Sequence, residues 1–325
     1  MLLGDGTSRQ LRLVVNDSES WFIMQDLAEK IKKLKEEKNA VILAHYYVED
    51  EVQQIADYVG DSYYLSKVAT ELDAEVLVLC GVSFMGESAK ILNTDKKVLM
   101  PDETADCPMA HMVDMDRLKS IHDEIEDVAV VCYINSTAEI KQYADVIVTS
   151  ANALSIVKKL PNKNIFFIPD KNLGRFIASK VPEKNFYFNE GWCPIHNQIA
   201  KADIVKAKEA HKEAEVLVHP ECQPEVLELA DYIGSTTGII KYASESPSNE
   251  FIIVTEKGVF YELCQKNPDK KFYPLFTDMI CEDMKKIALE KVCQVLEEEA
   301  PQVQMESALI DGARLPLEKM LELAD

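Results

Sequence analysis

Three of the eight cysteines, Cys107, Cys193 and Cys281, lie 86 and 88 residues apart. The other five, Cys80, Cys132, Cys222, Cys264 and Cys293, follow no such spacing. None of the eight forms a CxxC pair, which removes support for zinc ribbons, thioredoxin-like sites and ferredoxin-type clusters. Three thiolates converging from three related units would make a metal site with an open position. Zinc is one candidate, although catalytic zinc sites usually include histidine. A cubane iron–sulfur cluster is the other and is favoured, because three cysteines leave one of its four irons free. That iron could act as a Lewis acid toward a hydroxyl or carboxylate.

The same ruler organises the rest of the chain. QIADYVGDSYY (54–64) is echoed by ELADYIGSTTG (228–238), and KQYADVIVTSANA (141–153) lies halfway between. Their aspartates, Asp57, Asp145 and Asp231, are 88 and 86 residues apart. Upstream of each runs an apolar stretch with polar residues at its end: AVILAHYY, VAVVCYINS and AEVLVHPEC. Such runs read as buried parallel strands. Two further strands per unit align the same way, and the spacing places Lys97, Lys184 and Lys271 at equivalent positions. Each unit therefore reads strand–helix–short strand–helix–strand–helix–strand. The expected fold is α/β: three homologous three-layer α/β/α domains with parallel sheets, in pseudo-threefold symmetry around a central site. The expected bounds are an N-terminal extension at 1–24 and repeats at 25–110, 111–196 and 197–283. A helical segment, 284–325, is expected to pack back on the first repeat.

Ligands of α/β units bind at the carboxyl ends of strands. The first strand of each unit ends in His45 and Tyr47, Tyr133 and Asn135, or His219 and Glu221. Beyond the short strands stand Ser62, Ser150 and the pair Ser235–Thr236, each expected to open a helix. Helix starts present free N–H groups and a positive dipole end, so they can hold carboxylate or phosphate. A chain with a net charge of −21 could bind an acidic substrate in this way. That charge speaks against nucleic acid and anionic membranes as partners. No apolar run approaches a membrane span, and the N-terminus lacks a secretory signal pattern, so a cytoplasmic protein is expected.

The chain resembles the quinolinate synthase family. The matching stretches are AHYYVEDEVQQIADYVGDSYYLSKVA, CGVSFMGESAKIL, PDETADCPMA, YINSTAEIKQYADVIVTSANA, FIPDKNLGRFIA, GWCPIH, VHPECQPEVLELADYIGSTTGIIKYA and VTEKGVFYEL, with a similar tail, ALIDGARLPLEKMLEL. One departure is Pro-Met-Ala after Cys107, where the family pattern has Ser-Leu-Ala. The resemblance implies a [4Fe-4S] cluster on Cys107, Cys193 and Cys281. It implies condensation of iminoaspartate with dihydroxyacetone phosphate to quinolinate, losing phosphate and two waters, in de novo NAD biosynthesis. A transient contact with the enzyme that makes iminoaspartate would accompany this role. The implied substrate residues are His45, Tyr47, Ser62, Tyr133, Ile134, Asn135, Ser150, His196, His219, Pro220, Glu221, Ser235 and Thr236. Among them Glu221 would be the general base, with His219, Tyr47 and Tyr133 in catalytic support. Rival readings are a zinc hydrolase on the same thiols and an iron–sulfur sensor or electron carrier.

Overall fold

The computed structural model describes residues 18–324. Residues 1–17 of the expected N-terminal extension lie outside the described residues, and a helix, Ser18–Glu37, starts within that extension. Among the described residues twelve short strands form three separate four-stranded sheets, every pairing parallel. The first sheet holds β1 (Ala40–His45), β2 (Tyr58–Gly60), β3 (Val76–Cys80) and β4 (Lys97–Leu99), in the order β2-β1-β3-β4. The second holds β5 (Val128–Tyr133), β6 (Val146–Val148), β7 (Asn164–Ile168) and β8 (Asn185–Phe188), in the order β6-β5-β7-β8. The third holds β9 (Glu215–Val218), β10 (Tyr232–Ile233), β11 (Glu250–Val254) and β12 (Lys271–Pro274), in the order β10-β9-β11-β12. Helices link successive strands throughout, as parallel connections require. All five residues of β3 and all six of β5 are buried. Continuous apolar runs are the signature of sheets covered on both faces.

The repeated aspartates are strand staples. The Asp57 N–H donates to Ile42 O at 2.9 Å, and the Ile42 N–H donates back to the Asp57 carboxylate at 2.8 Å. Asp145 repeats the exchange with Val130, and Asp231 repeats it with Val216. Each aspartate thus docks the entry of the short second strand onto the first strand. The lysine alignment is corrected. Strand register puts Lys97, Asn185 and Lys271 at equivalent positions, so Lys184 belongs with Lys96 and Lys270. Lys96, Lys184 and Lys270 make the same contact, each donating to two carbonyl oxygens at or just past the end of a preceding helix. A uniform spacing missed this because the two repeat lengths differ.

The units meet head to tail. Gln53 of the first unit donates to Gly258 O of the third at 3.1 Å. Its equivalent Lys141, in the second unit, donates to Phe84 O of the first at 3.2 Å. Phe84 and Gly258 are themselves equivalent, each four residues past the end of its strand. At the remaining junction Leu227 takes this place, and the segment Pro224–Leu227 lies against the helix Lys171–Lys180. The helix Leu289–Glu298 packs on Ser18–Glu37, while Ser307–Ala324 packs on β6 and on the helices Ser83–Leu92, Ala138–Lys141 and Ala153–Lys159. The terminal helices and the first two units share one apolar core; the third unit packs around two further clusters, one of which takes in Tyr46 of the first unit. Among the described residues no helix is long and apolar enough to cross a membrane.

Candidate active site and metal centre

Strand ends and the turns after them supply the site. The backbone N–H of Tyr47 donates to His45 Nδ1 at 3.1 Å, and that of Glu221 to His219 Nδ1 at 3.4 Å. The two histidines, equivalent in the repeat, therefore share one tautomer, with the proton on Nε2. Burial lowers both to about 3 and keeps them neutral at physiological pH. His219 Nε2 faces Ser150 Oγ at 3.3 Å.

At the centre, His196 Nδ1 lies 2.7 Å from Glu221 Oε2, and both side chains are buried. His219 Nδ1 is 3.5 Å from the same oxygen but already accepts a backbone N–H, so His196 is the donor to the carboxylate. Tyr133 also hydrogen-bonds Glu221. Burial opposes ionisation of Glu221, but the hydrogen bonds from His196 and Tyr133 bring its carboxyl below the ordinary range. Glu221 is a carboxylate at rest.

On its other side His196 Nε2 accepts from Thr255 Oγ1 at 3.0 Å. Thr255 Oγ1 lies 2.8 Å from the Tyr47 hydroxyl, which lies 2.8 Å from Thr236 Oγ1. One hydrogen-bonded chain, Tyr47–Thr255–His196–Glu221–Tyr133, thus crosses all three units. Burial pushes the Tyr47 and Tyr133 hydroxyls well above their ordinary value, so both stay protonated. Gly258 lets the third unit approach this chain: a Cβ there would sit 2.6 Å from Tyr46 O and 2.8 Å from Tyr47 Cα.

The small hydroxyls play unequal parts. Ser235 caps the helix Thr236–Glu245 through Gly238 N. Ser62 is the first residue of Ser62–Glu71, whose cap is Asp61. Ser150 opens no helix, because Ala153–Lys159 begins later, after a turn in which Asn152 Oδ1 accepts from Thr149 N. The expectation that each opens a helix holds at Ser62 and at Ser235–Thr236 and is corrected at Ser150, where the second unit builds a turn instead. Thr237 Oγ1 donates to Asp61 at 2.6 Å, which brings the helix starts at Ser62 and Thr236 together. Asn135 is half-buried just past β5, and Ile134 and Pro220 are buried beside Tyr133 and His219.

Each of the three cysteines is the N-cap of a one-turn helix, in extended conformation: Cys107 before Pro108–His111, Cys193 before Pro194–Asn197, Cys281 before Glu282–Lys285. Burial pushes all three thiols up, Cys281 to about 11, and first-turn N–H groups pull the other way in each. Cys107 lies within electrostatic reach of both Cys193 and Cys281. Half-buried thiols backed by N–H groups are donors that a cation converts to thiolates, so the set fits a metal centre. A second group of donors, Cys193, His196 and Glu221, has ligand atoms within 4.8 Å of one another.

The family model described as quinolinate synthetase A protein matches residues 29–322. The chain belongs to this family. It is 52% identical over 301 residues to a quinolinate synthase of Caldicellulosiruptor saccharolyticus, covering 93% of this chain and 99% of that one. It is 51% identical to a quinolinate synthase of Fusobacterium nucleatum, covering 92% and 99%. It is 45% identical to quinolinate synthase 2 of Methanosarcina acetivorans, covering 94% and 99%. Membership was legible from sequence, whereas several site residues were not. Thr255 was missed because its equivalents, Gly81 and Pro169, carry no hydroxyl and the repeat gives no signal there. Asp170 and Glu256 give no threefold signal either, because the first unit has Val82 at their place.

Proposed function

We propose that this chain is a quinolinate synthase of de novo NAD biosynthesis, acting in the cytoplasm. It condenses iminoaspartate with dihydroxyacetone phosphate and releases phosphate and two waters. The family match supports the reaction, and the observation that carries the site is the Tyr47–Thr255–His196–Glu221–Tyr133 chain beside three half-buried thiols. Cys107, Cys193 and Cys281 would hold a [4Fe-4S] cluster, which when bound supplies a Lewis acid at the iron without a cysteine.

The protein groups do the rest. Glu221, ionised and facing Tyr133, takes a proton from carbon or nitrogen of the substrate. Tyr47 stays neutral and gives its hydroxyl proton to a leaving oxygen. His196, with Nδ1–H toward Glu221 and Nε2 accepting from Thr255, holds both ends of the chain in place, and Glu221 sheds its proton to water while Tyr47 regains one from water as the products leave. His45 and His219, neutral with Nε2–H groups, donate to substrate oxygens without adding charge. The hydroxyls of Ser62, Ser150, Ser235 and Thr236, with the N–H groups opening the helices at Ser62 and Thr236, hold carboxylate and phosphate. Asn135, beside Ile134, and the Pro220 turn shape the wall that orients the imine.

The group Cys193, His196 and Glu221 favours a second reading, a single zinc ion in a hydrolase. Anaerobic purification separates the two. A brown protein with about four irons and broad absorbance at about 400 nm supports the cluster. A colourless protein with one zinc overturns it. Quinolinate formed from the two substrates then decides the reaction and rules out a sensor or electron carrier.

A further inference from the structure

The backbone N–H of each candidate cysteine is taken by a carboxyl group. Cys193 N donates to Asp170 at 3.1 Å, Cys281 N to Glu256 at 3.1 Å, and Cys107 N to Asp106 at 2.8 Å. Asp170 and Glu256 hold equivalent places, two residues past β7 and β11. The first unit has Val82 at that place, and there the acid comes from the residue next to the cysteine instead. Asp106 is fixed in turn by Ser83 Oγ and by His111 Nε2. So the acid changes position while its contact with the cysteine is kept.

Simple backbone satisfaction does not require this. Asp170 and Glu256 are fully buried, and a buried carboxyl is costly without several partners. Glu256 has them in Gly258 N, Cys281 N and Lys285 Nζ, the last at 3.4 Å. Asp170 has Leu173 N at 2.7 Å besides Cys193 N. Hydrogen bonds to the sulfurs and local charge set the potential of an iron–sulfur centre. An N–H turned toward the cluster favours an added electron. Here the cysteine's own N–H is taken by an acid oxygen and only first-turn N–H groups are left to the sulfur, so this feature disfavours reduction.

We propose that Asp106, Asp170 and Glu256 are positioning residues that hold the cysteine N–H groups off the cluster and keep it in its oxidised, Lewis-acid state. This rests on the cluster reading above. The test uses the full chain, reconstituted anaerobically with iron and sulfide, as wild type and as D106A, D170A and E256A. Iron content and the midpoint potential from an EPR-monitored redox titration are measured on each. The alanine variants are expected to keep the wild-type iron content and to shift to a more positive midpoint. D106N and E256Q retain an acceptor oxygen, so their midpoints should fall between alanine and wild type. Asp106 is partly exposed and outside any strand or helix, so D106A decides the matter if the buried variants do not fold. An unchanged midpoint in loaded D106A overturns the proposal. So does a folded D106A that binds no iron, because the acid would then serve assembly. A wild-type chain that takes up no iron would instead refute the cluster reading itself.

Discussion

His196 Nδ1 and Glu221 Oε2 stand 2.7 Å apart in a fully buried contact between the second and third units. Removing the charge of Glu221 should therefore remove the base while leaving the shape. Glu221→Gln is expected to lower kcat by roughly 10²–10⁴-fold with iron content unchanged. Near-normal turnover in the loaded variant would take Glu221 out of that role.

Thr255 joins Tyr47 to His196 through its hydroxyl. Thr255→Val keeps the shape and breaks the chain, with an expected loss of roughly 10–100-fold in kcat and little change in KM. Tyr47→Phe should lose at least as much. The double variant should be no worse than Tyr47→Phe, since both act through one chain. Additive losses in steady-state kinetics would mean that the two hydroxyls act separately.

Cysteine identity should decide iron binding. Serine at Cys107, Cys193 or Cys281 is expected to abolish a stable cluster, read as iron per chain and absorbance at about 400 nm. Serine at Cys264, which is exposed, should leave both unchanged.

Lys141 is buried between the first two units, donating to Phe84 O and Ser88 Oγ. Burial lowers it from 10.5 to about 8. The native state then releases the proton near pH 8 and the unfolded chain only near 10.5, so native stability gains from this group as pH rises across that window. The gain should total about 3 kcal/mol at most. Lys141→Met should lack it, so denaturation midpoints of the two proteins should diverge in favour of wild type above pH 8. Parallel curves would exclude the lysine as the cause.

Asp145 accepts the Val130 N–H at 2.7 Å with its side chain partly open to solvent. Asp145→Ala strands a strand amide and should cost about 1–2 kcal/mol, read as a lower urea midpoint. Asp145→Asn keeps an acceptor and should recover most of it.

Much of the fold was legible in the chain alone, for a physical reason. A parallel strand covered on both faces must be an unbroken apolar run, so AVILAH, VAVVCY and EVLV announce themselves. Two unequal repeat lengths then picked three cysteines from eight and aligned His45, Tyr133 and His219. The same arithmetic misplaced one lysine set by a single residue, because strand register depends on hydrogen bonds rather than on mean spacing.

The aspartate in each copy of the Ala-Asp phrase is a staple between two neighbouring strands, a local matter the repeat could signal. The contacts that make the site are of another kind. Thr255 meets His196 across 59 positions and Tyr47 across 208, and its repeat equivalents carry no hydroxyl. The acids behind the cysteines come from two different places in the repeat. Such partners are chosen by how three units pack around one centre. The sequence determined the units and their thiols; the packing decided which side chains meet.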